Sequence, residues 1–117
     1  MKAFLIDPFK QIISEVDYNG YWKTINTHID CDVFTVVRVP QGDIFLDDEG
    51  LYSKGHEQMF FVHNNYPQPL AGYGLVLDSD DEGETIASTT SIEELSSNIN
   101  WIGGPYDAML YAKKHAI

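Results

Sequence analysis

Residues 2–17 (KAFLIDPFKQIISEVD) hold the pattern on which the fold class turns. Lys2 to Asp7 alternates its apolar side chains and stops at Asp7-Pro8, because the residue before a proline is pushed out of helical backbone. Gln11 to Asp17 alternates again, with Ile12, Ser14 and Val16 opposite Ile13, Glu15 and Asp17. A period of two on both sides of a short connection predicts a β-hairpin, and with it an antiparallel sheet.

Working outward, Asn19-Gly20 breaks the second strand, and Trp22, Ile25 and Ile29 follow at i, i+3 and i+7. That spacing predicts one short amphipathic helix lying on the sheet. Cys31 to Val39 (CDVFTVVRV) is β-branched and apolar on both faces, which predicts a central strand. Pro40-Gln41-Gly42 turns the chain into a strand over Asp43 to Asp47, and Asp47-Asp48-Glu49-Gly50 reads as a hairpin turn with glycine in the left-handed position. His56 to Asn64 predicts a further strand. Leu70 to Leu77 predicts a buried one, in which two glycines mark a bulge or a close backbone approach.

Asp80-Asp81-Glu82-Gly83 resembles the earlier turn, and Glu84 to Thr90 reads as a last strand. Ser91 and Glu94 form a capping box ahead of Ile92 and Leu95. Pro105 suits the first position of a helix running to His115, with Asp107 in its first turn and Lys113, Lys114 and His115 in its last, each matching the helix dipole. The expectation is one α+β domain over residues 1–117. It has a mainly antiparallel sheet, one short helix packed on it and one or two C-terminal helices. Residues 1–97 form its core and 98–117 a C-terminal helical extension.

Charge is the least ordinary property of the chain. Its 117 residues carry 18 acids and 7 bases, for a net charge of −11. Residues 39–112 hold thirteen acids and a single base, Lys54. A protein built to grip phosphate needs clustered Lys and Arg, so direct nucleic-acid binding is not expected. One cysteine excludes an internal disulfide framework and a cysteine-based zinc site. The longest apolar run, Leu70 to Leu77, is too short for a membrane span, and Asp7 interrupts the opening too early for a secretory signal. A cytoplasmic protein is expected, with no membrane partner, no cofactor and no metal.

Several constellations bear on chemistry. Asp78-Ser79-Asp80-Asp81-Glu82-Gly83 matches the first half of a calcium loop, but Thr89 stands where the bidentate glutamate belongs. The bland reading is a solvated hairpin turn. If the run were extended, Asp78, Asp80, Glu82 and Glu84 would share one face at steps of about 6.6 Å, the scale of a phosphate row. His28, His56, His63 and His115 read as core or surface histidines. Gly72-Tyr73-Gly74 lies inside a strand pattern and is no dinucleotide fingerprint. Neither a nucleophile elbow nor a phosphate loop is present, so no enzymatic activity and no catalytic residue are expected. Tyr52, Tyr66 and Trp101 lie in or beside expected loops, as contact residues or as packing beneath them.

The opening Met1-Lys2-Ala3-Phe4-Leu5-Ile6-Asp7-Pro8, the break at Tyr18-Asn19-Gly20, the turn Asp47-Asp48-Glu49-Gly50-Leu51, and Pro69-Leu70-Ala71-Gly72 leading into Leu75-Val76-Leu77 follow one another in order. Over about Met1 to Leu95 this pattern resembles the domain-of-unknown-function family 3846, found in phages, plasmids and other mobile elements. The resemblance carries no site residues. It implies an accessory protein that binds host machinery, including defence systems that target nucleic acids. Together with the charge, the expectation is a binding protein whose acidic face (Asp47, Asp48, Glu49, Asp78, Asp80, Asp81, Glu82 and Glu84) engages a basic, nucleic-acid-binding site on a host protein, as a DNA mimic or defence inhibitor. The alternative is a small-molecule or ion-binding module with a pocket between sheet and helix, near Tyr73, His63 or Trp22. A third reading is a structural subunit that buries its aromatics in a homo-oligomer.

Overall fold

A computed structural model describes residues 1–50 and 57–115. In chain order these form β1 (Lys2–Asp7), β2 (Ile12–Asp17), α1 (Lys23–Ile29), β3 (Phe34–Val39), β4 (Gly42–Asp47), β5 (Phe60–His63), β6 (Leu70–Ala71), β7 (Gly74–Ser79), β8 (Thr85–Ile86), α2 (Ile92–Ser97), β9 (Ile99–Gly103) and α3 (Pro105–Lys114). The architecture is α+β, and every strand pairing among the described residues is antiparallel.

The predicted hairpin is present, with Lys2 opposite Asp17 and Asp7 opposite Ile12. It forms one side of the main sheet, ordered β2-β1-β7-β4-β3, with β8 paired to the end of β7. A second sheet has the order β6-β5-β9. Alternation assigns the two faces of the main sheet to different cores. Phe4, Ile6, Ile44, Leu46 and Val76 meet Phe61 and Leu70 of the second sheet and Leu95 of α2. Ala3, Phe45, Leu75 and Leu77 lie on the opposite face beneath Ile25 and Ile29 of α1. The domain is therefore layered: α1, main sheet, then the smaller sheet with α2. Ala108 of α3 packs with Phe60 and Ala71 of the smaller sheet.

Several expectations need correction. The segment 31–39 supplies a strand only from Phe34, and that strand is at the sheet's edge rather than its centre. Thr35, Val36 and Arg38 are exposed. β-branched residues suit a strand irrespective of whether a second neighbour pairs with it, so composition does not locate the edge. Trp22 stands at the N-cap of α1, 54% exposed, while Ile25 and Ile29 carry the buried face alone.

The run Leu70 to Leu77 is two strands in two different sheets. Gly72 takes φ +80 between them, where a side chain would be strained and its Cβ would lie 3.4 Å from the Gln58 amide. The glycine thus marks the place where the chain leaves one sheet for the other. Turn 47–50 does not close a hairpin, because β4 pairs with β3 and β7 and the next strand belongs to the second sheet. Gly50 is not among the left-handed glycines.

The strand expected over 56–64 is Phe60–His63, with His56 and Tyr52 outside the described residues. The expected strand over 84–90 is reduced to Thr85–Ile86. The C-terminal extension is helical only from Pro105, because Ile99–Gly103 is a strand paired to β5. Trp101 is part of that strand and packs against the core, as does Tyr66 from its loop. Both predicted C-terminal helices form. The Ser91 hydroxyl accepts from the Glu94 amide at 3.1 Å, and the Asp107 carboxylate accepts from the Gly104 amide at 3.2 Å.

Candidate functional site

Helix α1 ends on Asp30, which adopts left-handed backbone at φ 53, tolerated because a short polar side chain costs least there. The chain then turns through Cys31, Asp32 and Val33 into β3. Pairing of Phe34 with Asp47 lays this turn beside the end of β4, and the Asp48 amide donates to the Val33 carbonyl at 2.9 Å. Asn26 ties the arrangement together. Its carbonyl accepts from the Cys31 amide at 3.0 Å, and its side chain donates to the Asp32 carbonyl at 3.3 Å and accepts from Cys31 Sγ at 3.7 Å.

The result is an open cleft of about 360 Å³ between the end of α1 and the β3–β4 hairpin. Asp30, Asp32, Asp47 and Glu49 surround Cys31 along its wall, with Asn26 and Thr27 on the helix side. Asp47 Oδ1 accepts from the Glu49 amide at 2.9 Å, which holds the acidic turn in shape. Cys31 reports the local potential. Its thiol is pushed up to about 11, first by burial and then by the charges of Asp47, Asp32 and Asp30. A thiol so placed stays protonated and is a poor nucleophile and metal ligand. No cluster of three or more His, Cys, Asp or Glu side chains among the described residues is arranged to hold a metal ion.

The second acidic segment folds as a tight turn. Asp80 Oδ1 accepts from the amides of Glu82 and Glu84, each at 2.9 Å, and Gly83 takes φ +84. Asp78 accepts from Thr89 Oγ1 and, at 2.8 Å, from the Ser79 amide. The hairpin-turn reading holds. The extended row of Asp78, Asp80, Glu82 and Glu84 does not exist, because Asp80 folds the chain back on itself through local amides.

Nor do the two acidic segments share a face. β4 and β7 run antiparallel with Asp43 opposite Leu77 and Phe45 opposite Leu75. Asp47 therefore lies at the end of the sheet where β7 begins, and Asp78 to Glu84 at the end where it finishes. At about 3.4 Å per residue, the length of β4 between them is close to 20 Å. Asp47, Asp48 and Glu49 are brought together with Asp30 and Asp32, which sequence reasoning missed. Their signal was faint, since they stand in residues 1–38, where five acids are nearly balanced by four bases. Only the pairing of β3 with β4 makes them neighbours of Asp47.

The side chains named for an alternative pocket are dispersed. Trp22 is exposed at the start of α1, and Tyr73 is half-buried at the start of β7. His63 is fully buried. Its Nδ1 accepts from the Asn65 amide at 2.9 Å, so the ring proton resides on Nε2, which donates to Gln41 Oε1 at 2.7 Å. Burial lowers its pKa, and both ring nitrogens are occupied.

Residues 1–100 match the family model described as Domain of unknown function (DUF3846). The chain belongs to that family. No curated protein and no solved structure matches it. The DUF3846 region thus takes in both sheets' framework up to the first residues of β9, the whole acidic cleft and the acidic turn, while α3 lies beyond it. Among the described residues no helix is long and apolar enough to cross a membrane.

Proposed function

We propose that this chain is a non-enzymatic binding protein that offers the acidic end of its main sheet, Asp30, Asp32, Asp47, Asp48 and Glu49, to a basic site on a partner protein. The observation that carries the reading is the convergence of four of these carboxylates on one cleft. Carboxylates held together on a scaffold attract Lys and Arg side chains that otherwise engage phosphates, and speed their encounter at low salt. The state of the two best candidates for nucleophile or base agrees with a binding role. Cys31 is held protonated, and His63 is buried with both nitrogens bonded. In the setting of a mobile element, a nucleic-acid-binding defence protein is the class of partner such a surface serves.

Affinity capture from host lysate tests this, at low and high salt and with and without competing DNA. Capture of a basic protein that salt and DNA displace, and that is lost with Asp32→Lys and Asp48→Lys, is the expected result. Capture that persists at high salt and survives both reversals would overturn the reading. Asp81→Lys and Glu82→Lys serve as the comparison at the opposite end of the sheet, and binding there would instead move the site to the second turn.

A further inference from the structure

We infer that the corner of the main sheet left open by α1 seats a large apolar side chain from the same basic partner, so that the partner is a basic amphipathic protein segment. The inference rests on the reading above and adds to it.

A seven-residue helix is about 10 Å long, while five strands at about 4.8 Å spacing present a face some 19 Å across. α1 packs on β4 and β7 and leaves the β1–β2 corner of that face open. Register places Leu5 and Ile12 on this face, together with Tyr73 at the start of β7. Phe9 reaches over from the β1–β2 turn to meet Tyr73, ring centroids 5.1 Å apart. Ile12 is 49% exposed and Phe9 37%, with Leu5 and Tyr73 half-buried between them and the core.

This corner is preorganised. Buried Asp7 accepts from the amides of Phe9 and Lys10 at 2.9 and 3.1 Å, which fixes the turn that carries Phe9. It also adjoins the acidic cleft. Tyr73 and Cys31 pack against the same cluster, and Asp47 ends β4 beside the start of β7.

Charge selects the occupant. The described residues at this end carry Asp7, Asp30, Asp32, Asp47, Asp48 and Glu49 against Lys10 and His28. A second copy of a chain with net charge −11 would add like charge to that surface. An apolar side chain flanked by Lys or Arg satisfies both halves at once, as an anchor residue in a pocket with a charged surround.

The test compares three synthetic peptides of equal length: an amphipathic Leu/Lys helix, an oligo-lysine and a Leu/Glu helix, each titrated against the full chain by fluorescence anisotropy. Binding of the Leu/Lys peptide about tenfold tighter than oligo-lysine is expected, with the Leu/Glu peptide not binding, as one seated apolar anchor implies. Phe9→Ser with Ile12→Ser should erase the tenfold difference and leave oligo-lysine binding unchanged. If that variant binds the Leu/Lys peptide as the natural chain does, the apolar corner is refuted while the acidic site stands. If Asp32→Lys with Asp48→Lys leaves both basic peptides bound as before, the acidic site itself falls. Amide shifts of the unaltered chain give a readout independent of any variant. Shifts at residues 9–12 and 73 on adding the Leu/Lys peptide support the seat, and shifts confined to 30–33 and 47–49 overturn it.

Discussion

Lowering the pH below the ordinary range of histidine should destabilise this protein through His63. The ring is fully buried, accepts from the Asn65 amide on Nδ1 and donates from Nε2 to Gln41. Protonation would place a second N–H against the Asn65 N–H, inside a fully buried site where a charged ring is penalised by desolvation. Burial accordingly lowers the folded pKa from its ordinary 6.5. The sign follows from linkage. Below 6.5 the unfolded chain takes up a proton that the folded chain refuses, so the stability due to neutral His63 is present above that pH and is lost as pH falls toward the folded value. The slope cannot exceed about 1.4 kcal/mol per pH unit for one proton. Between pH 7.5 and 5.5 the loss reaches about 1.4 kcal/mol where the folded ring stays neutral throughout. Urea unfolding at several pH values, on the natural chain and on His63→Gln, measures it. The variant should be less stable at pH 7.5 and have the smaller pH slope. Equal slopes in the two proteins would refute the assignment and pass the pH dependence to other groups.

Three further outcomes are expected. Gly72→Ala should cost about 1–2 kcal/mol in urea unfolding, because φ +80 is strained for any side chain and the new Cβ meets the Gln58 amide; an unchanged midpoint would mean that the crossing between sheets relaxes freely. Ser91→Ala removes the hydroxyl that accepts from the Glu94 amide, and should lower stability by about 1 kcal/mol. Cys31 should react with iodoacetamide about a hundredfold more slowly than an ordinary thiol at neutral pH, as a pKa raised from 9.0 to about 11 implies, and Asp47→Asn with Asp32→Asn should speed it; no acceleration would show burial to be the whole cause.

What was legible in the sequence was local. Alternation in residues 2–17 gave the hairpin to within one residue, and Ser91 and Pro105 gave the starts of α2 and α3, because each signal is complete within a few residues. What was not legible depended on partners far along the chain. β3 carries the composition of a central strand yet sits at an edge, and Leu70–Leu77 reads as one apolar run yet crosses between sheets at Gly72. The spatial grouping of the acids depended on distant pairing in the same way. Grouping acids by stretch joined Asp47 to Asp78–Glu84, which the register of β4 and β7 sets at opposite ends, and omitted Asp30 and Asp32, which the β3–β4 pairing brings alongside.

The two acidic ends also differ in what their carboxylates already do, and this decides how charge reversal is to be read. Asp80 holds its turn by accepting from two backbone amides, and Asp78 is engaged by Thr89 and Ser79. Replacing either with lysine removes acceptors on which the hairpin depends, so a lost interaction would follow from altered shape as readily as from altered charge. Asp47 has the same double duty through the Glu49 amide. Asp81 and Glu82 are exposed at one end, and Asp32 and Asp48 at the other. Reversal at these four positions changes the field with the least disturbance to the turns that carry it. A binding loss confined to one pair therefore identifies the end of the sheet that meets the partner. Steep salt dependence in the other pair's variants, matching that of the natural chain, establishes that the remaining contact is still electrostatic.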